Sequence, residues 1–531
     1  TMADYTRDAA SDLVVENCVQ ALGDGAAQLE LLQCVAAAHA ATLNQAFWQY
    51  LRNILLVYST ALVFYMQAGF AMLCAGAVRK KNVGNTMLKN LLDACGAALA
   101  FFTVGYAFAF GGDTTDKTFI GTSNFFLMGV EDLAFWLFQY AFSAASATIV
   151  AGTLAERCQM AAYLAYSVLL GGFVYPIVAH SIWSRQGFLS TFGEDPLWGV
   201  GMIDFAGSGV VHMTGGTTAL FATMILGPRR GRFHDDTGRA LAKPNDMPGH
   251  SVALQMLGTF ILWFGWYGFN AGSALVLPTQ NADVVLPLSG VNTTLAGGSA
   301  GIVALFANLL YLERFTGEPF FDLKYLMNGS LAGLVAITGS CGIVEPWAAV
   351  LIGAIAGLLY ILGSWALVKL RLDDAVEAIP VHMVNGAWGV IAVGLFASPG
   401  RLDSAFGKSD HVGLFYSFTH GGADGTLLGL QCIGVLFIFG WVMFTMLPFF
   451  VWLDMKGWFR SDPLDEIIGL DTSYHGGCML GSNNDKVGPE FISAMQQRKE
   501  NRAKSGRPVD RSIEMDLDLD DIEEEDKYCD T

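Results

Sequence analysis

The sequence predicts an all-α membrane protein with eleven transmembrane helices. Of its 531 residues, 53% are hydrophobic and only 15% are charged, whereas a soluble protein carries about 25% charged residues. Apolar segments long enough to cross a bilayer follow one another along most of the chain. The 61 glycines agree with this class, because small residues let membrane helices approach closely.

The apolar segments set the number and the direction of the helices. They lie near residues 53–77, 87–110, 131–152, 159–180, 205–226, 250–270, 292–312, 325–341, 346–368, 378–397 and 425–453. Basic residues are concentrated in the loops after the odd-numbered segments, for example Arg79, Lys80 and Lys81 after the first. By the positive-inside rule these loops face the cytoplasm, so the N-terminus is predicted outside and the C-terminus inside.

These boundaries divide the chain into four predicted parts. They are an extracellular N-terminal segment (1–50), the transmembrane domain (51–453), a cytoplasmic tail element (454–480) and an acidic C-terminal tail (481–531). The acidic residues crowded between Asp510 and Asp526 are typical of a solvated, disordered segment.

Two matching segments identify candidate functional residues near the middle of the membrane. Asp204 and Asp374 are each followed, eight residues later, by a histidine within a Val-His-Met sequence, at His212 and His382. At about 1.5 Å per residue, each histidine lies about 12 Å into a bilayer whose half-thickness is about 15 Å. The histidines fall in segments 5 and 10, so segments 1–5 and 6–10 are predicted to form two inverted repeats. Ionisable residues at this depth are functional candidates.

The chemistry of the two histidines favours proton sharing over metal binding. Two imidazoles in contact can share one proton, because one ring donates while the other accepts, and burial disfavours their charged forms. A zinc site needs at least three protein ligands, and no third ligand recurs in both repeats. The sequence shows no nucleophile, metal set or cofactor motif, so neither an enzyme nor a bound cofactor is expected.

Five stretches resemble the ammonium transporter (Amt/Mep/Rh) superfamily, in the order in which that superfamily has them. They are Phe138–Phe142, Gly152–Arg157, Asp204–His212, Gly265–Ser273 and Val381–Gly386, all within residues 50–480. Several matches in order are more specific than any single motif. Within the superfamily the chain is most similar to the type-1 Amt transporters of plants and algae.

The resemblance implies a recruitment site for ammonium at the outer mouth. Phe138 and Trp183 would supply aromatic faces and Ser273 an oxygen acceptor, and a desolvated cation–π contact contributes about 2 kcal/mol. The alternative is an interfacial tryptophan beside a lipid-facing phenylalanine. Asp204 is expected to be ionised near the outer vestibule and to favour cation entry, which is compatible with a helix-capping role. For Asp374 the capping role is favoured.

The resemblance also implies the elements of the pore. Phe142 and Phe269 match the stacked phenylalanine gate of the family, which can exclude water and hydrated ions. His212 and His382 match its twin histidines, which would form the pore relay. Asp93, in the second segment, is a further buried acid with no assigned role.

The tail and the N-terminal segment carry the remaining candidates. Asp465–Gly477 resembles the family's tail element, which reaches the neighbouring subunit in relatives; the alternative is an ordinary polar loop. Ser473 stands where plant members have a regulatory threonine, so Ser473 and Thr472 are phosphorylation candidates for a regulatory kinase. Cys18 and Cys34 precede the first segment and could form a disulfide if that side is extracellular.

The predicted function is transmembrane ammonium transport by a homotrimer in the plasma membrane. Ammonium would be recruited outside and deprotonated near the gate, and ammonia would pass the histidines with parallel proton transfer. Methylammonium is a candidate second substrate, the lipid bilayer is the other partner, and no nucleic acid is expected. One alternative is an electroneutral Rh-like ammonia channel, although Rh proteins generally lack a tryptophan at the position that Trp183 occupies here. Another is an ammonium sensor signalling through the tail, although no kinase-like or cyclase-like domain is apparent after residue 480.

Overall fold

The computed structural model describes residues 17–18, 20, 28–112, 116–235, 237–279, 281–419 and 422–475. The predicted acidic tail at 481–531 and the last two residues of the Asp465–Gly477 element lie outside this part. The chain divides into two units, one ending at Tyr58 and the other beginning at Ser59.

The first unit contains a disulfide and the start of a long helix. Cys18 and Cys34 are joined to each other. Helix α1 runs over Gln28–Ala77, so it begins well before residue 53, where the sequence places the first helix. The reason is local: residues 36–41 are rich in alanine, the strongest helix former, and neither glycine nor proline interrupts 28–68. Part of the segment predicted at 1–50 is therefore helical.

Each predicted apolar segment coincides with a long helix, so the all-helical membrane fold is confirmed. After α1 come α2 Lys80–Phe110, α3 Leu133–Ala151, α4 Met160–Trp183, α5 Ser208–Leu226, α6 Val252–Val276, α7 Ala282–Thr316, α8 Leu323–Thr338, α9 Pro346–Lys369, α10 Ile379–Phe396 and α11 Thr426–Met455. In the described part of the chain, ten of these are long and apolar enough to cross a membrane. Helix α8 has 16 residues, slightly fewer than the roughly 17 that a crossing helix needs, so the eleventh crossing stays a prediction.

Helices α5 and α10, which carry the two histidines, share an unusual local structure. Each begins with a π-helical turn, at Ser208–Met213 and at Ile379–Val384, and each turn contains a histidine. Such turns occur frequently at functional sites. The match between the two segments therefore extends from sequence to backbone conformation.

Two glycines bring α5 and α10 together. Gly216 and Gly386 each follow a repeat histidine by four residues. A Cβ at position 216 would lie 2.3 Å from the backbone nitrogen of Met383, and one at position 386 would lie 2.6 Å from the backbone oxygen of Ser208. Only glycine permits this approach, since real Cβ atoms do not come that close. The backbones therefore touch where the helices cross, which fixes the histidines beside each other.

Within residues 456–475, which the structure describes, two short helices follow α11, namely α12 Pro463–Ile468 and α13 Leu470–His475. They pack on the start of α2. The Asp471 carboxylate accepts hydrogen bonds from the backbone nitrogens of Gly84 (2.8 Å) and Asn85 (2.7 Å). The α-helical part of α2 begins at Val83, so these two donors have no partner within it. Another bond runs from the backbone nitrogen of Leu470 to Oδ1 of Asn82 (2.9 Å). These contacts hold the tail element against its own chain.

Candidate functional site

A cavity of about 820 Å³ lies among the C-terminal ends of α2, α4 and α6 and the N-terminal half of α3. Four of the residues that the sequence assigns to recruitment and gating line it, and they come from three different helices. They are Phe138, Phe142, Trp183 and Ser273. The fold therefore brings them together on one surface.

The aromatic rings and the serine of this cavity have fixed orientations. The ring centroids of Phe138 and Phe142 lie 4.7 Å apart, and those of Phe142 and Trp183 lie 5.9 Å apart. The indole nitrogen of Trp183 donates to the backbone oxygen of Asp204 at 2.7 Å. Ser273 donates its hydroxyl proton to the backbone oxygen of Phe269 at 2.9 Å. The oxygen of Ser273 is then left to accept, which suits a ligand that carries N–H donors.

Asp204 does not line the cavity, and its carboxylate caps α5. Oδ1 accepts from the backbone nitrogens of Gly207 (3.0 Å) and Ser208 (2.9 Å), and Oδ2 accepts from those of Gly209 (2.8 Å) and Val210 (2.9 Å). The first backbone donors of a helix have no intrahelical partner, so one buried carboxylate satisfies three of them and the N–H of Gly207, the residue before α5. Asp204 meets the recruitment residues through its backbone oxygen, which accepts from the indole nitrogen of Trp183.

Two phenylalanines separate the cavity from the histidines. The rings of Phe142 and Phe269 are tilted by 30° with centroids 4.1 Å apart, and both are buried. Phe269 in turn stacks on His212 at 5.4 Å. The order from the cavity inward is therefore Phe142, Phe269, His212.

The two histidines form a direct pair. Their Nδ1 atoms lie 3.3 Å apart, and their ring centroids lie 5.3 Å apart. His212 is 0% exposed and His382 is 5% exposed. An Nδ1–Nδ1 contact requires one ring to donate and the other to accept, so the pair holds one shared proton. Nε2 of His212 is buried and has no hydrogen-bond partner, so it can meet a ligand.

Two residues beside the histidines were not predicted as site residues. Trp266 stacks on His212 at 5.3 Å, with its indole nitrogen bonded to Oγ1 of Thr338 (2.9 Å), and Phe70 lies 6.2 Å from the ring of His382. Trp266 precedes Phe269 by three residues, a spacing that places both on one helix face. That spacing is the signal that could have identified it.

A small cavity of about 20 Å³ lies on the other side of the histidines. His382, Phe70, Asn328 and Val376 are among its lining residues. The site is thus a column that runs from the large cavity through the phenylalanines and histidines to this second cavity. Within the described residues, no group of three or more His, Cys, Asp or Glu residues could hold a metal ion.

A charged network fixes the loop before α10. Asp374 accepts from the backbone nitrogen of Ile379 at 2.7 Å and from that of Val376 at 3.4 Å, so it caps α10 as Asp204 caps α5. Burial raises the pKa of Asp374 to about 6, against the effect of the Ile379 hydrogen bond. Burial would also raise the pKa of Asp373, but the guanidinium of Arg229, with Nε 2.8 Å from Oδ2, holds that pKa below its usual range.

Asp93 belongs to a separate buried cluster between α2 and α4. Its Oδ2 accepts from the hydroxyl of Tyr163 at 2.6 Å. Lys89, one turn earlier, donates to the backbone oxygen of Cys158 at 2.7 Å. The cluster ties α2 to α4 and takes no part in the column.

The comparison with known families decides the identity. The pattern of the Ammonium Transporter Family matches residues 54–479. The chain belongs to this family. Among its relatives, Ammonium transporter 1 member 3 of Solanum lycopersicum is 43% identical over 464 residues, which cover 84% of this chain and 97% of that protein. Ammonium transporter Amt2 of Archaeoglobus fulgidus is 41% identical over 423 residues, covering 78% and 85%.

Solved structures of the family share the fold. A protein described as Sensor Amt Protein has a TM-score of 0.68 and 32% identity, and the match covers 81% of this chain and 99% of that one. The structure of Candida albicans Mep2 has a TM-score of 0.66 and 27% identity, covering 78% and 87%. The family membership predicted from the ordered motifs is confirmed.

The regulatory candidates of this ammonium transporter family member lie on α13. Ser473 donates its backbone N–H to the oxygen of Gly469 (3.1 Å), and its hydroxyl oxygen is buried without a partner. Thr472 is partly exposed. Gly469 has φ 112°, and a Cβ there would lie 2.6 Å from Cβ of Lys81. Gly469 is therefore fixed close to Lys81 at the start of α13, while Ser473, like Thr472, is partly exposed.

Proposed function

We propose that this protein is an ammonium transporter of the plasma membrane. It takes up NH₄⁺ from the side of the large cavity, releases NH₃ and H⁺ on the other side, and carries no other ion in the opposite direction. The observation that carries the proposal is the column itself: an aromatic cavity, two stacked phenylalanines and a histidine pair follow one another without interruption. The basic loops after the odd-numbered helices support a cavity that faces outward, an N-terminus outside and a C-terminus inside.

Recruitment takes place between Phe138, Trp183 and Ser273. The ring faces attract the cation, while the serine oxygen, whose proton is already donated to Phe269, accepts an N–H bond from it. A sodium or potassium ion has no N–H to donate. The site therefore favours ammonium and small methylated ammonium ions.

Proton and ammonia then take separate routes. Below Phe142 and Phe269 the pathway runs between buried rings, so NH₄⁺ would lose its hydration there at a high cost. NH₄⁺ gives its proton to Nε2 of His212, and His212 passes its Nδ1 proton to Nδ1 of His382. His382 releases a proton toward the small cavity, and neutral NH₃ moves along the rings. Mass and charge balance, since one NH₃ and one H⁺ leave for each NH₄⁺ that enters.

Replacing Trp183 tests recruitment. Trp183→Leu should raise the half-saturating ammonium concentration about 30-fold, because a desolvated cation–π contact contributes about 2 kcal/mol. Uptake across micromolar to millimolar ammonium is the measurement. Trp441→Leu is a matched control, since Trp441 also donates its indole N–H to a backbone oxygen, that of Val174 at 3.1 Å, but lies outside the cavity lining. Equal half-saturation for wild type and Trp183→Leu would contradict the assignment.

The working assembly is a homotrimer of separate pores, regulated through α13. A phosphate on Ser473 adds about −1.5 to −2 charges close in sequence to the buried Asp471. Such a modification requires a regulatory kinase as a partner. Asp471 holds the tail on α2 through Gly84 and Asn85, so a second negative charge would loosen that contact.

A charge at position 473 should close the transporter. Ser473→Asp places a second carboxylate two residues after Asp471, and repulsion between the two charges would loosen the contact of the tail with α2. We expect ammonium uptake to fall about tenfold or more, with Ser473→Ala remaining active. Uptake is measured at equal surface amounts, established by labelling. A Ser473→Asp variant that transports at the wild-type rate would show that this tail does not control the pore.

A second candidate function is ammonium sensing. It is favoured by the likeness to the protein described as Sensor Amt Protein and by the docked tail. The two functions separate by measurement: a transporter carries a current or flux that rises with ammonium, whereas a sensor changes its tail contacts with little flux. An electroneutral ammonia channel, the remaining alternative, would give flux without current.

A further inference from the structure

We propose that the large cavity contains a second, outer ammonium site between the amide of Gln139 and the rings of Tyr106, Phe110 and Phe135. This site is distinct from the recruitment site at Phe138, Trp183 and Ser273, and it precedes that site on the way to the gate. The inference rests on the proposed function, because it assigns ammonium as the ligand of the cavity.

The three rings form a cluster of their own on the cavity wall. Phe110 and Phe135 have centroids 5.0 Å apart, Tyr106 and Phe110 lie 5.6 Å apart, and Tyr106 and Phe135 lie 6.4 Å apart. All three line the cavity. Rings at these distances pack directly against one another, so a cation would meet the cluster from the cavity side, where a ring face attracts it.

Gln139 supplies the acceptor that the rings lack. Its side chain lines the cavity, although the residue is only 4% exposed, and its Oε1 is buried with no hydrogen-bond partner. Native structures rarely leave a buried amide oxygen unpaired. The last torsion of a glutamine side chain turns easily, so this amide can present its oxygen to a cation in the cavity. An N–H group of ammonium would satisfy it.

Helix α3 connects the two sites. Phe135 and Gln139 are four residues apart, as are Phe138 and Phe142, so each pair lies on one helix face and the two pairs are adjacent. A cation held by Phe135 and Gln139 therefore has its next aromatic surface, Phe138 and Phe142, one step along the same helix. A cavity of about 820 Å³ also holds far more than one ion, since a water molecule occupies about 30 Å³.

The charges on the cavity wall sharpen the expected selectivity. Arg185, Glu194 and Lys408 also line it, and Lys408 donates to the backbone oxygen of Thr191 at 2.7 Å. With two basic residues and one acidic residue present, general attraction does not concentrate cations here. Binding must come from ring faces and from the amide oxygen, and it favours a cation that donates N–H bonds.

Two substitutions of Gln139 distinguish the effect of its acceptor oxygen from the effect of its side-chain shape. Gln139→Met keeps length and helix propensity but removes the amide oxygen, whereas Gln139→Glu keeps an acceptor. We expect Gln139→Met to raise the half-saturating ammonium concentration about tenfold, equal to about 1.4 kcal/mol, with an unchanged maximal rate. Gln139→Glu should not raise it. Unchanged half-saturation in Gln139→Met, or an equal rise in both variants, would overturn the proposal.

Caesium serves as the probe of the two cation positions in crystals of the full-length protein. It donates no N–H bond and should bind more weakly than ammonium, but ring faces and the amide and hydroxyl oxygens attract it at high concentration. We expect two anomalous scattering peaks in the cavity of each subunit. Gln139→Met should lose the outer peak alone, and Trp183→Leu should lose the inner peak alone. A single peak in the wild type, or an outer peak that survives in Gln139→Met, would overturn the proposal. A wild type that shows both peaks but does not transport ammonium would overturn the proposed function and would support the outer cation site.

Discussion

Asp204→Ala should abolish ammonium transport and destabilise the transporter. The carboxylate of Asp204 is only 5% exposed and satisfies four backbone N–H groups at the start of α5. A buried donor without a partner costs about 1–3 kcal/mol, and this substitution leaves four backbone N–H groups without their acceptor. The turn that they form carries His212 four positions after Ser208, so its distortion should also separate the histidine pair.

Asp374 provides the matched control for Asp204. It occupies the equivalent place before α10, but it accepts one short hydrogen bond, from Ile379 at 2.7 Å, and one long one, from Val376 at 3.4 Å. Asp374→Ala should therefore lower the melting temperature of the purified protein less than Asp204→Ala does. Thermal unfolding in detergent and uptake at equal surface amounts are the measurements. Equal melting temperatures for wild type and Asp204→Ala would show that the cap does not stabilise α5.

The helical fold was accessible from sequence because membrane helices are long and continuously apolar. The repeated Asp-x₇-His spacing also pointed to α5 and α10, and hydropathy located every long helix. The ends were harder to place. Helix α1 starts at Gln28 because alanine-rich sequence continues a helix outside an apolar segment, and hydropathy does not register that propensity.

The contacts between side chains on different helices were less accessible. For Asp204 the sequence left open both cation entry and helix capping. Its carboxylate caps the start of α5 and does not line the cavity, which only the arrangement of the helices could decide. The stacking of Trp266 on His212 and the unpaired oxygen of Gln139 depend on how neighbouring helices are rotated. The docking of Asp471 on Gly84 joins positions almost four hundred residues apart. No periodicity in a single sequence encodes these contacts.

Replacing either histidine by an acid should change what the pore conducts. The neutral pair lets a proton pass while NH₃ moves separately, and potassium is excluded because it has no proton to leave behind. A carboxylate at position 212 or 382 places a fixed negative charge in the column, and that charge stabilises a bare or partly hydrated cation. His212→Asp and His382→Glu should therefore admit potassium, with a reduced preference for ammonium.

A buried histidine outside the column is the control. His180 contacts the backbone oxygen of Ala109 through Nδ1 (2.9 Å) and the hydroxyl of Thr118 through Nε2 (2.8 Å), so both of its nitrogens have structural partners. His180→Gln should keep the rejection of potassium even if it lowers the amount of protein at the surface. A potassium current in this control would mean that any damage to a buried histidine opens the pore.

The separation of proton and ammonia at His212 and His382 is the central claim, and membrane current tests it most directly. Currents evoked by ammonium and by potassium are recorded from wild type, His212→Asp and His382→Glu at matched surface expression. The wild type should carry a current with ammonium but none with potassium. Both acidic variants should carry a current with either ion. If both variants keep the full ammonium current and the full rejection of potassium, the histidines are packing residues and ammonium crosses by another mechanism.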